Sequence, residues 1–273
     1  MKFSKFGLLL IINSILVMSC HDEDKKETST EPAYKEEPVS YTLDSVTMNG
    51  FVVYDSNNSD KRPVVLVVPE WWGLNEYTKT RARDLAKLGY IAMAVDMYGN
   101  GAQADDPKSA ASLSGPFYTN PQMAKARFDA ALAKIKTYSQ ADTAKVAAVG
   151  YCFGGGMLLN FARMGEAING VVSFHGSLLG TPADKNLLKA KILVCHGGAD
   201  PFVPKADADA FKKQMDSIGA AYTFREYEGA MHAFTNPNAT AIGEKFKIPI
   251  KYNAAADTAS WKDMKEFLNT VFK

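Results

Sequence analysis

Short runs of β-branched and aliphatic residues alternate along the chain with segments of helical periodicity, and this alternation constrains the fold more than any other feature. Residues 64–68 (VVLVV) are apolar on both faces, as a central strand of a parallel sheet must be. Further strands are predicted at residues 90–96, 146–149, 170–174, 191–195 and 221–227, and helices at 75–88, 121–138, 155–164, 205–218 and 255–272. Alternating elements of this kind build a mostly parallel central sheet with helices on both faces. The predicted fold class is therefore α/β.

The N-terminal residues 1–19 have the pattern of a secretory signal. Lys2 and Lys5 flank the start of an apolar run at residues 7–18, which is too short to span a membrane but suits the core of a signal peptide. The run ends in VMSC, which resembles the lipobox of bacterial lipoproteins, where the cysteine (here Cys20) is lipidated. We therefore predict a lipoprotein-type signal peptide and a location in a bacterial cell envelope, periplasmic or surface-facing. An ordinary signal peptide with an incidental cysteine is the alternative.

Residues 20–40 are rich in charged and small polar side chains and contain two prolines, Pro32 and Pro38. Such a segment cannot bury enough apolar surface to offset its ordering entropy, so we predict a disordered tether. Residues 41–273 suffice for one large α/β domain, which opens with a predicted hairpin at residues 41–54 that turns at Asn49-Gly50. With 31 basic and 30 acidic residues, the chain carries no charge excess that would indicate nucleic-acid binding.

Three side chains suited to nucleophilic catalysis each follow a predicted strand. Cys152, in GYCFGG, follows the strand at 146–149; Asp200, in HGGADPFVP, follows 191–195; and His232, in EGAMHAF, follows 221–227. In an open parallel sheet, the loops beyond the carboxyl ends of the strands hold the active residues. The order nucleophile, acid, histidine, and the turn G-x-C-x-G, are those of α/β-hydrolases with sulfur in place of oxygen.

A cysteine between glycines can also be a small buried residue, since free cysteine often packs as a hydrophobe. The coincidence of Cys152 with Asp200 and His232 favours catalysis over that alternative. Cys195 lies inside an apolar strand and is interpreted as inert core, and His175, at the end of the strand at 170–174, is interpreted as pocket wall.

Four separated motifs now resemble the dienelactone hydrolase family: Glu70 in VPEWWG, the turn GYCFGG, Asp200 and His232. The resemblance covers residues 41–273 and implies one α/β-hydrolase domain that cleaves esters or lactones without a metal or cofactor. Carried over by position, Cys152 attacks the carbonyl, His232 relays the proton and Asp200 orients His232.

The resemblance also implies roles for residues beside the triad. The backbone N–H groups of Trp71 and Phe153 would form the oxyanion hole. Glu70 would face the thiol and take part in activating it. Because two neighbouring negative charges repel each other, we expect Glu70 to keep Cys152 protonated until a substrate arrives.

The sequence departs from the family where members that cleave dienelactone bind its carboxylate with arginines. DMYGNG, residues 96–101, contains no arginine, and Asn236 stands where a second one is expected. Since asparagine cannot replace a bidentate guanidinium contact, we expect a small neutral ester or lactone as substrate. The pocket candidates are Trp72, Tyr98, His175 and Phe234, and core packing is an equal alternative for the aromatic residues among them.

The predicted partners are this small-molecule substrate and, through the lipid anchor alone, a membrane; the domain is expected to be a monomer. Two alternative functions use the same fold. One is a catalytically silent envelope binding lipoprotein, because fold alone does not establish activity. The other is a thiol redox protein, which is disfavoured since no resolving cysteine lies near Cys152 in the sequence.

Overall fold

The computed structural model of the chain describes residue 1 and residues 31–273. Its strands are β1 (Tyr34–Leu43), β2 (Val46–Asp55), β3 (Arg62–Val68), β4 (Ile91–Ala94), β5 (Ala141–Tyr151), β6 (Gly170–Phe174), β7 (Lys191–Gly197) and β8 (Tyr222–Tyr227). Its helices are α1 (Glu76–Lys87), α2 (Pro107–Thr119), α3 (Pro121–Ile135), α4 (Phe153–Arg163), α5 (Lys205–Ser217), α6 (Ala239–Phe246) and α7 (Ala254–Val271). None of these helices is long and apolar enough to cross a membrane.

The eight strands form one sheet in the order β1-β2-β4-β3-β5-β6-β7-β8. The pairs β1–β2 and β2–β4 are antiparallel, and every other pair in the sheet is parallel. In β3, Val64 and Leu66 pack into the core on one face, whereas Val65 and Val67 pack into the core on the other. Because successive side chains of a strand point to opposite faces, this all-apolar strand needs helices on both sides. The predicted α/β class is confirmed.

The helices divide between these two faces. Leu85 of α1 and Met264 of α7 belong to the same core as Val65, whereas Phe128 of α3, Leu158 of α4 and Phe211 of α5 belong to the opposite core with Val64. This layering leaves the loops at the carboxyl ends of the parallel strands free to hold functional side chains.

The predicted disordered tether is wrong from Tyr34 onward. Residues 34–43 form β1, which pairs with β2 along its whole length, from Tyr34 opposite Asp55 to Leu43 opposite Val46. The segment is polar because β1 is an edge strand, and it is held by long-range contacts such as the bidentate pair of Glu36 with Arg83. Contacts between residues so far apart in the chain cannot be deduced from the composition of the segment itself. The predicted signal peptide, Cys20 and the tether up to residue 30 lie outside the described residues.

The turn of the first hairpin is also misplaced in the sequence prediction. It lies at Asp44 and Ser45, where Asp44 adopts a φ of 53°, while Asn49 and Gly50 lie inside β2. The backbone N–H of Asn49 donates to the Asp96 carboxylate at 2.9 Å, so this dipeptide serves a loop contact and not a turn.

Two helices, α2 and α6, are absent from the sequence prediction. The start of α2 carries a local capping signal: Asp106 accepts a hydrogen bond from the backbone of Ser109, the Ser109 side chain accepts one from the backbone of Asp106, and Pro107 occupies the first helical turn. The small residues that follow lack the apolar periodicity used to predict helices. The remaining predicted elements are found, with ends shifted by a few residues.

Candidate active site

Strand β5 runs directly into helix α4, and the turn between them carries Cys152. This residue has φ 51° and ψ −112°, a conformation that a non-glycine residue keeps only where its surroundings hold it. The turn also forces backbones together, because a Cβ atom on Gly154 would lie 2.3 Å from the carbonyl oxygen of Val68 in β3. Glycine is therefore required where α4 crosses β3. The result is a sharp elbow that presents the thiol at the carboxyl edge of the sheet.

Two further loops bring an imidazole and a carboxylate to this thiol. His232 Nε2 lies 3.0 Å from Cys152 Sγ, and His232 Nδ1 lies 2.8 Å from Asp200 Oδ2. The other carboxylate oxygen of Asp200 accepts a hydrogen bond from the backbone N–H of Phe202 at 2.9 Å. Asp200 and His232 are buried, and Cys152 is partly exposed. The three side chains predicted from separate loops thus form one hydrogen-bonded row.

The surroundings of His232 favour its charged form. Burial opposes that charge, but the charge of the Cys152 sulfur and the hydrogen bond that the ring donates to the Asp200 carboxylate outweigh burial and raise the pKa of His232 to about 10. The imidazole can therefore take the thiol proton and hold it while sulfur carries the negative charge.

Glu70 follows β3 and is only 2% exposed. Burial raises its pKa to about 7, against the opposing effects of a hydrogen bond from Asn236 and of the charges on His232 and Arg81. Asn236 Nδ2 donates to Glu70 Oε2 at 2.7 Å. Glu70 and Cys152 line the same cavity, although no hydrogen bond between them is found in the described part of the chain. Asn236, at the position where an arginine was expected, thus holds the Glu70 carboxylate.

Two backbone N–H groups lie where the sequence predicted an oxyanion hole. Phe153 is the first residue of α4, so its N–H has no acceptor within the helix and lies at the positive end of the helix dipole. Among residues 31–273, no acceptor is found for the N–H of Trp71 either. The carbonyl of Trp71 accepts from the Tyr98 hydroxyl at 2.9 Å, which restrains this part of the backbone.

A cavity of about 350 Å³ opens beside the thiol. Its wall is largely apolar and includes Trp71, Trp72, Tyr118, Phe202, Ile248 and Ile250. None of the described side chains in this wall is a lysine or an arginine.

Of the four pocket candidates, only Trp72 lies in this wall. Tyr98 supports Trp71 from behind and packs against Phe153, with ring centroids 5.7 Å apart. Phe234 is fully buried core between the rings of Tyr227 and His175. Tyr98, Phe234 and His175 therefore lie outside this wall, because side-chain direction at a loop cannot be deduced from proximity to a motif.

Several wall residues were missed by sequence reasoning. Tyr118 belongs to α2, and the capping pattern at the start of this helix is the sequence signal from which the helix could be predicted. Phe202 stands in the quoted HGGADPFVP loop beside Asp200. Ile248 and Ile250 follow α6, and tertiary contacts such as the bridge between His232 and Ile250 bring that segment to the site.

An eight-stranded, mostly parallel sheet with a nucleophile elbow after β5, an acid after β7 and a histidine after β8 defines the α/β-hydrolase fold. The model of the dienelactone hydrolase family matches residues 48–272. The chain belongs to the dienelactone hydrolase family.

Individual relatives agree with this assignment. A protein from Methylorubrum extorquens that carries the name carboxymethylenebutenolidase is 32% identical over 183 residues, which are 63% of this chain and 63% of that protein's own length. The crystal structure of a dienelactone hydrolase-like promiscuous phosphotriesterase from metagenomic libraries is 34% identical, covers 88% of this chain and 100% of its own, and has a TM-score of 0.83. A dienelactone hydrolase structure from Klebsiella pneumoniae shares the fold at 20% identity, with a TM-score of 0.74 over 87% of this chain and 99% of its own.

Proposed function

We propose that this protein hydrolyses a carboxylic ester or lactone through a covalent acyl-enzyme formed on Cys152. The observation that carries the proposal is the hydrogen-bonded row from Asp200 through His232 to the thiol, with separations of 2.8 and 3.0 Å. These distances are within the reach that proton transfer between a nucleophile and its base requires.

The reaction proceeds in two halves. His232 Nε2 takes the proton from Cys152, sulfur bonds to the carbonyl carbon, and the collapse of the tetrahedral intermediate breaks the carbon–oxygen bond of the ester. The leaving alkoxide receives the proton from His232. Water then attacks the thioester while His232 takes one of its protons. The sulfur–carbon bond breaks to release the acid, and the proton on His232 returns to sulfur. Asp200 accepts a hydrogen bond from Nδ1–H of His232, which keeps Nε2 of the neutral ring free to accept the thiol proton. The carboxylate also stabilises the charged form of the ring.

The backbone N–H groups of Trp71 and Phe153 are proposed to receive the negative oxygen of the intermediate. One such donor typically lowers the barrier by about 3 kcal/mol. The developing charge also benefits from the start of α4, whose dipole is positive at this end.

The substrate is proposed to be small and neutral. The cavity of about 350 Å³ is lined mainly by aromatic and aliphatic side chains, and among its described lining residues it presents the carboxyl of Glu70 but no lysine or arginine to the substrate. A substrate carboxylate would lose its water there without gaining the bidentate contact of a guanidinium group. A panel of matched esters, neutral and carboxylate-bearing, tests this point: we expect a higher kcat/KM for the neutral members, and a clear preference for the anionic members would contradict the proposal.

Turnover of a chromogenic short-chain ester tests the function itself. Cys152→Ala should abolish hydrolysis, and intact-mass measurement on the wild-type protein should detect an acyl adduct that this variant lacks. Cys195→Ala is the matched control, because Cys195 is fully buried and burial raises its pKa to about 12. Hydrolysis that survives in Cys152→Ala would refute the nucleophile. No turnover of any ester or lactone would favour the binding-lipoprotein alternative.

Glu70 is proposed to restrain the thiol until a substrate enters. The support is that Glu70 and Cys152 lie in the same cavity wall. Because burial raises the pKa of Glu70 to about 7, only part of the population carries the negative charge at neutral pH, so the restraint would be partial. Glu70→Gln should therefore change the rate of Cys152 alkylation, ester turnover or both. Unchanged values of both would remove Glu70 from the mechanism.

We further propose that Cys20 carries a lipid that anchors a monomeric enzyme in a bacterial cell envelope. The support is the order of Lys2 and Lys5, the apolar run at residues 7–18 and VMSC. Cys20→Ala should move the protein from the membrane fraction to the soluble fraction of the envelope, and lipid mass on the wild-type N-terminus should be lost. A wild-type protein without that mass would refute the anchor.

A further inference from the structure

His175, which follows β6, makes contact with the backbone of the nucleophile. Its Nδ1 accepts a hydrogen bond from the N–H of Cys152 at 3.1 Å, and the same N–H also donates to the carbonyl of Phe174 at 2.9 Å. Because Nδ1 accepts, the proton of the neutral ring lies on Nε2. Burial, followed by the charges of His232 and Arg81, holds the pKa of His175 well below its usual range, in agreement with a neutral ring.

The second nitrogen of His175 reaches the loop that carries His232. His175 Nε2 lies 2.8 Å from Thr235 Oγ1 and, with the proton on this nitrogen, donates to that hydroxyl. Thr235 is 1% exposed, and its hydroxyl lies 2.7 Å from the hydroxyl of Tyr77 in α1. The Thr235 hydroxyl can thus accept a hydrogen bond from His175 and donate its own proton to Tyr77.

The backbone of Thr235 is held separately. Arg81 Nη2 donates to the Thr235 carbonyl oxygen and to Asp257 Oδ1, each at 2.6 Å. This guanidinium packs over the rings of Tyr77 and Trp261, with its central carbon 5.3 Å from each ring centroid. Thr235 is therefore a rigid point in the histidine loop, against which the ring of His175 can be held.

We propose that His175 and Thr235 are positioning residues, whose hydrogen bond keeps the Cys152 turn and the His232 loop at the separation that proton transfer from sulfur to nitrogen requires. Cys152 and His232 are 80 residues apart in sequence, so only tertiary contacts can set their distance. Neither His175 nor Thr235 lies in the wall of the substrate cavity, and both act through their neighbours. The inference rests on the proposed hydrolase function and explains how its two reacting side chains are held together.

Loss of the Thr235 hydroxyl would leave the Nε2–H of His175 buried without its acceptor, a state that the ring can relieve only by moving. That movement would weaken the hydrogen bond that Cys152, in its strained conformation, makes through its backbone. Small displacements of reacting groups have large kinetic effects, of about 10²-fold for 1 Å.

The test compares Thr235→Val, which keeps the side-chain shape, with Thr235→Ser, which keeps the hydroxyl. We expect Thr235→Val to lower kcat about 10- to 100-fold with little change in KM, and to slow alkylation of Cys152 by iodoacetamide, followed by peptide mass. Thr235→Ser should restore both rates to within a few-fold of the wild-type values. Thr78→Val is the matched control, since Thr78 is also 1% exposed but its hydroxyl bonds only to Asn75 at the start of α1.

Wild-type kcat and alkylation in Thr235→Val, or a serine variant as impaired as the valine variant, would overturn the proposal. If Thr235→Val does not fold, Thr235→Ala compared with Thr235→Ser makes the same test, because that pair also differs in one hydroxyl. Alkylation does not require ester turnover. A protein that hydrolyses no ester but shows the hydroxyl-dependent alkylation would refute the hydrolase function and support the positioning role.

Discussion

Replacing Glu70 by glutamine isolates the free energy that the burial of this carboxylate costs the folded protein. Glutamine has nearly the same shape, and its amide oxygen can still accept the hydrogen bond from Asn236 that Glu70 Oε2 accepts at 2.7 Å. The substitution therefore removes the ionisable group and leaves the packing in place.

The magnitude follows from the shift in the pKa of Glu70, which burial raises from 4.5 to about 7. Between these values the folded protein binds more protons than the unfolded chain, so the carboxyl group's contribution to stability is full below pH 4.5 and is lost as the pH rises through 7. Linkage across this window makes wild-type folding less favourable at pH 8 than at pH 5 by about 2.5 kcal/mol. Glutamine has no such penalty.

Urea unfolding of the wild-type and Glu70→Gln proteins at pH 5 and pH 8 measures this difference. The histidines titrate in both proteins, so their contribution cancels when the wild-type free energy of unfolding is subtracted from that of the variant. The change of this difference with pH therefore reports on residue 70. We expect that difference to increase by about 2.5 kcal/mol from pH 5 to pH 8. Glu244→Gln, at an exposed carboxylate, should show no comparable increase. A change of less than about 0.5 kcal/mol for Glu70→Gln, within the range of surface substitutions, would refute the reasoning.

Two further predictions concern the row of reacting groups and the elbow. Asp200→Asn should lower kcat by about 10²- to 10⁴-fold and lower the pKa of His232 in the pH–rate profile, because a carboxylate that stabilises the charged ring is lost; activity within tenfold of wild type would contradict this. Gly154→Ala should destabilise the fold by about 1–3 kcal/mol or more, because its Cβ would lie 2.3 Å from the carbonyl oxygen of Val68. The control Gly115→Ala lies in α2, where the added carbon meets no atom within 4 Å apart from its chain neighbours. Because the following Pro116 opposes the gain in helix propensity, it should change the free energy of unfolding by no more than about 1 kcal/mol in either direction, and equal effects at the two glycines would contradict the elbow argument.

The sequence was informative wherever a structural requirement is local. The strand at 64–68 is apolar at every position because helices cover both of its faces, and this pattern, with the alternation of strands and helices along the chain, predicted the parallel sheet. GYCFGG, together with Asp200 and His232, predicted the elbow, and its glycines are required because the crossing of α4 over β3 excludes a side chain at Gly154. The positions of Asp200 and His232 after later strands followed from the rule that parallel strands end at one edge.

The failures at the tether and at the pocket share one physical cause, which is that their determinants lie far away in sequence. Residues 34–40 were predicted as part of a disordered tether because their composition is polar, yet pairing with β2 and the contact of Glu36 with Arg83 make them a strand. His175 and Phe234 were predicted to line the pocket, and both are packed behind it.

By itself, the sequence determined the α/β class, the elbow and the three side chains that follow strand ends, because hydrophobic periodicity and turn geometry depend on residues that are neighbours in the chain. The tertiary structure alone decided that His232 Nε2 lies 3.0 Å from Cys152 Sγ, that Asn236 holds Glu70 and that Thr235 holds His175. Those contacts join residues separated by 80, 166 and 60 positions. No local pattern specifies such distances, since they arise only when the packed sheet and its helices bring distant loops to one edge.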